Sequence, residues 1–249
     1  MSILTIEAIE NTHLLASVTN EDKEIKIWDI RKGRVKFKLS FLFENLTKGF
    51  SHLCSLNKNT LASVTSENVI RIWDLNSRSQ KFNLTHERVN KIKFLNRIDK
   101  FLIGCVYDDV VISSINIWNY KNGTFVASLV TVKPVASLMT FDEKFLVAGL
   151  KEGSILVWNI LEQLKLKYTL HSHTGSVWSL CMLQNGDSGY LASGSGHPDN
   201  SIKLWHMSNG SLYLSQEVHS GNVNVLLSTS KGMFASGSND KSIKLWKIV

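Results

Sequence analysis

Short apolar runs alternate with polar breaks along this chain, and one pattern returns six times. The clearest copy is Tyr190 to Trp205, YLASGSGHPDNSIKLW, and Met233 to Trp246 spells it again as MFASGSNDKSIKLW. Each reads as a β-hairpin: an apolar strand running into Ala-Ser-Gly-Ser, an Asp-bearing turn, then an alternating strand that ends in Trp. Fainter copies are Leu14 to Asp29, Thr60 to Asp74, Phe101 to Asn119 and Phe145 to Asn159. The repeat tryptophans, Trp28, Trp73, Trp118, Trp158, Trp205 and Trp246, lie 45, 45, 40, 47 and 41 residues apart. Spacing this regular implies one structural unit used six times. Each unit has room for about four short strands.

The first strand of each unit follows V-x-x-L-x-x-L or a near variant: Ile3 to Ile9, Phe50 to Leu56, Val89 to Leu95, Val135 to Phe141, Val177 to Leu183 and Val223 to about Ser228. These are apolar on more than one face, as strands covered on both sides should be. Fourth strands are expected at Arg34 to Phe41, Gln80 to Thr85, Thr124 to Val130, Leu164 to Leu170 and Ser211 to Val218. Asn122-Gly123 and Asn209-Gly210 fall at the preceding turn, where φ > 0 favours a tight hairpin. A four-stranded meander cannot bury both faces alone. Arranging such sheets around an axis covers each with its neighbours. The expected fold is therefore all-β: a six-bladed β-propeller of four-stranded antiparallel meander blades, one domain over residues 1–249. Its units run over about 1–41, 48–85, 87–130, 133–170, 174–218 and 220–249.

On these residues the chain resembles the WD-repeat β-propeller family. The dipeptide stands at Trp28-Asp29 and Trp73-Asp74 and has drifted to Trp118-Asn119, Trp158-Asn159, Trp205-His206 and Trp246-Lys247. The sixth unit departs from the family pattern, because only three residues follow its Trp and only Met1 and Ser2 precede the first strand. Five four-stranded blades and one three-stranded blade are expected. The edge at Ser242 to Ile248 is then open to pairing: the ring is slightly open, or another chain donates a strand, or the sequence belongs to a longer protein.

The resemblance implies a structural tetrad in the last two units: His173, Ser193, Asp199 and Trp205, then His219, Ser236, Asp240 and Trp246. A buried indole N–H and a buried imidazole both need partners. Catalysis would also need an exposed hydroxyl and an oxyanion site, and no catalytic residue is assigned. The other units keep fragments: Ser17, Asp22 and Trp28; Ser63, Glu67 and Trp73; His86, Gly104 and Trp118, with Asp108 or Asp109 displaced; Ala148, Glu152 and Trp158.

The family's peptide-binding positions on the top face map to Leu4, Ser51, Asn90, Ala136, Trp178 and Asn224, and to Glu21, Ser66, Lys151, Pro198 and Asn239, with Asp108 uncertain. Trp178 is the one Trp outside the repeat position and suits an interface anchor. A packed channel residue is the other reading. Neither set holds an Arg, which argues against a phosphorylated partner.

Composition narrows the alternatives. The chain has 249 residues, 43% hydrophobic and 20% charged, enough for a substantial core. No signal peptide or membrane span is read. Cys54, Cys105 and Cys181 are far apart in apolar runs, which suits reduced thiols of a cytoplasmic or nuclear protein. The N-x-Ser/Thr triplets at Asn45, Asn83, Asn122 and Asn209 read as turn and strand sequence. Part of the +7 net charge falls in Arg31, Lys32, Arg34, Lys36 and Lys38. Alternation with Val35, Phe37 and Leu39 marks this as the wet face of a strand. No P-loop, dinucleotide fingerprint, zinc spacing or EF-hand loop occurs, so no cofactor or metal is expected. His171 and His173 are close, but the tetrad claims His173. The expected role is a non-catalytic scaffold that binds a protein or peptide on the top face. A nucleic-acid-associated scaffold using the basic outer strands of the first two blades is the alternative. A channel enzyme ranks below both.

Overall fold

The computed structural model describes residues 3–19, 24–40, 50–65, 69–84, 92–107, 113–185, 188–230 and 232–248. Among them, β1 (Ile3–Ala8), β2 (Leu14–Thr19), β3 (Glu24–Asp29) and β4 (Arg34–Ser40) form the first blade. The second holds β5 (Phe50–Asn57), β6 (Thr60–Thr65), β7 (Ile70–Asp74) and β8 (Ser79–Leu84). The third holds β9 (Ile92–Ile98), β10 (Phe101–Tyr107), β11 (Ser113–Asn119) and β12 (Thr124–Thr131). The fourth holds β13 (Val135–Phe141), β14 (Phe145–Leu150), β15 (Ser154–Asn159) and β16 (Lys165–His171). The fifth holds β17 (Val177–Asn185), β18 (Ser188–Ser195), β19 (Ser201–His206) and β20 (Leu212–Glu217). The sixth holds only β21 (Val223–Ser230), β22 (Met233–Ser238) and β23 (Ile243–Lys247).

Within each sheet every strand pairs antiparallel with its neighbour in sequence, so these are the blades of a six-bladed β-propeller. Contacts divide the chain into two compact units, Met1–Val130 and Thr131–Val249. Within each unit one packing rule recurs. The face carrying the two apolar residues of the Trp-ended strand meets the Trp face of the following blade. Ile25 and Ile27 pack with Trp73, and Ile70 and Ile72 with Trp118. In the second unit Ile155 and Val157 pack with Trp205, and Ile202 and Leu204 with Phe234 and Trp246. Strand alternation puts these residues on one face, and burying each contributes about 1.5–3 kcal/mol.

One expectation needs correction. In β21, Val225 and Leu227 are 57% and 60% exposed, so this first strand is covered on one side only. The same holds for β1, where Leu4 and Ile6 stand exposed. The third blade's first strand begins at Ile92, and the expected start at Val89 lies outside the described residues. On β4, Arg34, Lys36 and Lys38 are exposed while Leu39 is buried, and Lys38 pairs with Glu24 at 2.7 Å.

Candidate functional site

The two full tetrads close as hydrogen-bonded chains. His173 Nδ1 lies 2.6 Å from Asp199 Oδ2, and its Nε2 lies 2.7 Å from Ser193 Oγ. Trp205 Nε1 donates to the same Ser193 oxygen at 2.9 Å. In the sixth blade the distances are 2.7 Å for His219–Asp240, 2.8 Å for His219–Ser236 and 2.9 Å for Trp246–Ser236. Each carboxylate also accepts from the backbone N–H after its His, Thr174 or Ser220. The sequence reading missed a further partner: Ser242 Oγ donates to Asp240 Oδ1 at 2.6 Å. Ser201 occupies the matching place beside His173, at 3.3 Å. The repeated D-x-Ser spacing, Asp199 to Ser201 and Asp240 to Ser242, was a usable signal for them.

Electrostatics fix the protonation pattern. Burial holds the His173 imidazole below its ordinary value, although Asp199 opposes that shift. A neutral ring donates from Nδ1 to the carboxylate and accepts the Ser193 hydroxyl proton at Nε2. Burial works to raise the Asp199 carboxyl, but hydrogen bonds from Ser201 and His173 and the His173 charge interaction outweigh it and leave it lowered. The Ser242 hydroxyl is the largest of several influences that hold Asp240 low. Ser193 and Ser236 are 0% and 1% exposed, so neither hydroxyl can meet a substrate.

The first four blades fasten the Trp-ended strand differently. Trp28 and Trp73 donate to Ser17 and Ser63, both at 2.8 Å. In the third blade Trp118 Nε1 is buried with no partner. There Gly104 stands at the Ser position, and a Cβ on it would come within 3.0 Å of the Trp118 ring. The residue after each Trp accepts the N–H two positions on: Arg31 to Asp29, Asn76 to Asp74, Lys121 to Asn119 and Leu161 to Asn159, at 2.8–3.1 Å. These are Asx turns, which set the start of the next hairpin. His206 and Lys247 stand at this position in the last two blades.

Of the proposed interaction positions, Asn224, Asn239, Lys151 and Pro198 are exposed, and Trp178 and Ser51 are half-buried. Asn224 donates from its amide to Asn239, so those two meet across their hairpin. Trp178 lies over Gly196, where a Cβ would come within 2.5 Å of the indole nitrogen; only glycine leaves this room. Ser51 Oγ contacts Val64 O at 3.4 Å and His52 at 3.1 Å. Ala136, 4% exposed, is packed away and is no surface position. Asn90, Glu21, Ser66 and Asp108 lie outside the described residues, as do Asp22, Glu67, His86 and Asp109.

Two loop ties were not read from the sequence. Ser176 Oγ donates to Lys151 O at 2.7 Å, and Asn222 Oδ1 accepts the His197 N–H at 2.9 Å. Both residues stand three positions after a tetrad His, and each binds the turn of the preceding blade. The repeated H-x-G segments, His173 to Gly175 and His219 to Gly221, end just before them.

Meander blades fastened at a terminal Trp, two of them by Asp–His–Ser chains, define a repeat propeller. The family model "WD domain, G-beta repeat" matches residues 164–206 and 210–247. With the relatives that follow, these matches support a WD-repeat family for the chain. It is 25% identical to a WD repeat-containing protein 26 homolog of Arabidopsis thaliana, over 75% of this chain and 31% of that protein. It is 24% identical to the nuclear distribution protein nudF of Aspergillus niger, over 92% and 55%. It is 27% identical to a serine-threonine kinase receptor-associated protein of Dictyostelium discoideum, over 93% and 75%. Of the first two relatives, the chain thus spans about a third and about half of the length. The crystal structure of the computationally designed Ika8 protein shares the fold, with a TM-score of 0.81 at 21% identity over 99% of this chain and 71% of that one.

Proposed function

We propose that this chain is a non-catalytic interaction scaffold whose second unit binds an unphosphorylated peptide or protein partner. The binding positions are Trp178, Asn224, Asn239, Lys151 and Pro198. One observation carries the reading: Trp178 is a half-buried aromatic held over Gly196 beside loops that are hydrogen-bonded to one another. Such an anchor loses little freedom on binding. The name of the Dictyostelium relative describes a receptor-associated protein, which agrees with an interaction role. Buried Ser193 and Ser236 support the absence of nucleophilic catalysis. So does the Cys54 thiol, which burial, helped by Glu7, pushes up to about 12.

The same proposal treats residues 1–249 as a single propeller domain in a cytoplasmic or nuclear setting, consistent with free Cys54, Cys105 and Cys181. The test is affinity capture from lysate with wild type and a folded Trp178→Ala/Asn224→Ala variant side by side. A protein captured by wild type alone supports the reading. Identical capture by both refutes this face as the working surface. The exposed lysines and arginine of β4 keep a nucleic-acid scaffold as the second reading, and steep salt dependence of binding would favour it.

A further inference from the structure

The turn between β3 and β4 borders a cleft of about 330 Å³, lined by Asp29, Lys32, Arg34, Val35 and Lys36. All five belong to the first blade. Alternation along β3 puts Asp29 on the face of Ile25 and Ile27, which packs on Trp73 of the second blade within the first unit.

A β-bulge sets the cations here. Trp28 pairs with Val35 and Ile27 with Phe37, so Lys36 is the extra residue of β4. The second blade has the same bulge, with Lys81 between Gln80 and Phe82. There the charge is met internally, because Lys81 Nζ lies 3.4 Å from Asp74 Oδ2. Asp29 is the counterpart of Asp74, but its carboxylate is committed elsewhere. Its Oδ1 accepts the Arg31 and Lys32 N–H groups at 3.1 and 3.3 Å, and its Oδ2 lies 3.5 Å from His13 Nε2. The His13 carbonyl accepts the Ile30 N–H as the Asn59 carbonyl accepts that of Leu75, so His13 stands where the second blade has Asn59. Among the described residues, exposed Lys32, Arg34 and Lys36 make no ion pair.

Arg78 extends the cluster. In the turns after Trp28, Trp118 and Trp205 a glycine takes the left-handed conformation, at Gly33, Gly123 and Gly210. Arg78 holds that place after Trp73 with a φ of 56°, a strained conformation for a residue with a long side chain. Its guanidinium carbon lies 4.9 Å from the centroid of the Phe37 ring, and Phe37 directly follows Lys36. A guanidinium laid on a ring keeps its in-plane N–H groups for an anion. Lys32, Arg34, Lys36 and Arg78 thus stand against the single carboxylate of Asp29.

We propose that this cleft binds a compact polyphosphate, a ligand with several phosphate groups on a small body. Fork-shaped and point-charge donors together match clustered phosphate oxygens. Val35 alone is apolar among the lining residues. Phe37 is already covered by Arg78, so it offers no stacking platform of the kind that single-stranded nucleic acid uses. The site is independent of the loop positions in the second unit.

The probe is tripolyphosphate, titrated into the whole chain by calorimetry. One saturable site is expected, with affinity falling as salt rises. Lys36→Glu and Arg34→Glu should each weaken it about tenfold. Lys121→Glu, at the third-blade counterpart of Arg31, should leave it unchanged. Two variants separate binding from folding. Arg78→Gly installs the residue of the other turns, and should weaken binding without lowering the melting temperature. His13→Asn copies Asn59 and returns Asp29 to Lys36, so it should weaken binding with the fold intact. Flotation with phosphatidylcholine vesicles, plain or bearing phosphatidylinositol bisphosphate, distinguishes the source. Binding to the second kind alone, lost in Lys36→Glu, assigns the phosphates to a lipid headgroup; binding of tripolyphosphate without flotation assigns them to a free ligand. The proposal fails if neither probe binds, or if Lys36→Glu and Lys121→Glu behave alike. It also fails if a single-stranded oligonucleotide of equal charge binds more tightly than tripolyphosphate.

Discussion

The first four blades and the last two secure the same Trp-ended strand by different means. In the first four, Asp29, Asp74, Asn119 and Asn159 fold an Asx turn just beyond the Trp. The bond spans two residues. In the last two, a buried chain runs from Asp through His and Ser to the indole, with links between residues up to 26 positions apart. A local turn stabilises one hairpin and can be lost singly. A buried chain stabilises the blade as a whole, and removing one member leaves others unpaired at low dielectric. Polar capital is thus concentrated in the unit that carries Trp178.

This contrast can be broken most directly at Ser193. Ser193→Ala leaves both His173 Nε2 and Trp205 Nε1 without a partner, and should cost about 2–4 kcal/mol in chemical denaturation. Asp240→Ala comes next: its melting temperature should fall well below that of Glu152→Ala, since Glu152 is an exposed residue with no tetrad around it. Equal shifts for the two would remove the distinction. A third comparison uses the same substitution twice. Trp205→Phe should be costlier than Trp118→Phe by about 1 kcal/mol, because only the Trp205 indole has a hydrogen bond to lose.

The smallest effect is the pH dependence. His173 is held below its ordinary value near 6.5, so as pH falls through that value the unfolded chain takes up a proton that the folded one refuses. Stability therefore declines on acidification below about 6.5. Urea midpoints measured from pH 7.5 to 5.5 should drop, and the drop should shrink in His173→Asn.

Much of this was legible because the chain repeats itself. Trp205 and Trp246, each with an Asp six residues before it, located both tetrads in register, and the Leu-Ala-Ser and Ser-Ile-Lys-Leu-Trp runs located their strands. What escaped were contacts set by a neighbouring blade. Ala136 looked like its counterparts Trp178 and Asn224, yet packing removes it from the surface. Val225 and Leu227 have the composition of a strand covered twice, yet composition does not say whether a second cover is present. Ser176 and Asn222 act on carbonyl and amide groups roughly 25 residues upstream, and such backbone partners leave no side-chain signature.

Those two ties have a consequence for how recognition can change over generations. Because Ser176 holds the turn at Lys151 and Asn222 holds the turn at His197, neither of these two turns can be reshaped without disturbing the loop that holds it. A substitution that reshapes one turn shifts the anchor of the next, so a new specificity must arise through paired changes.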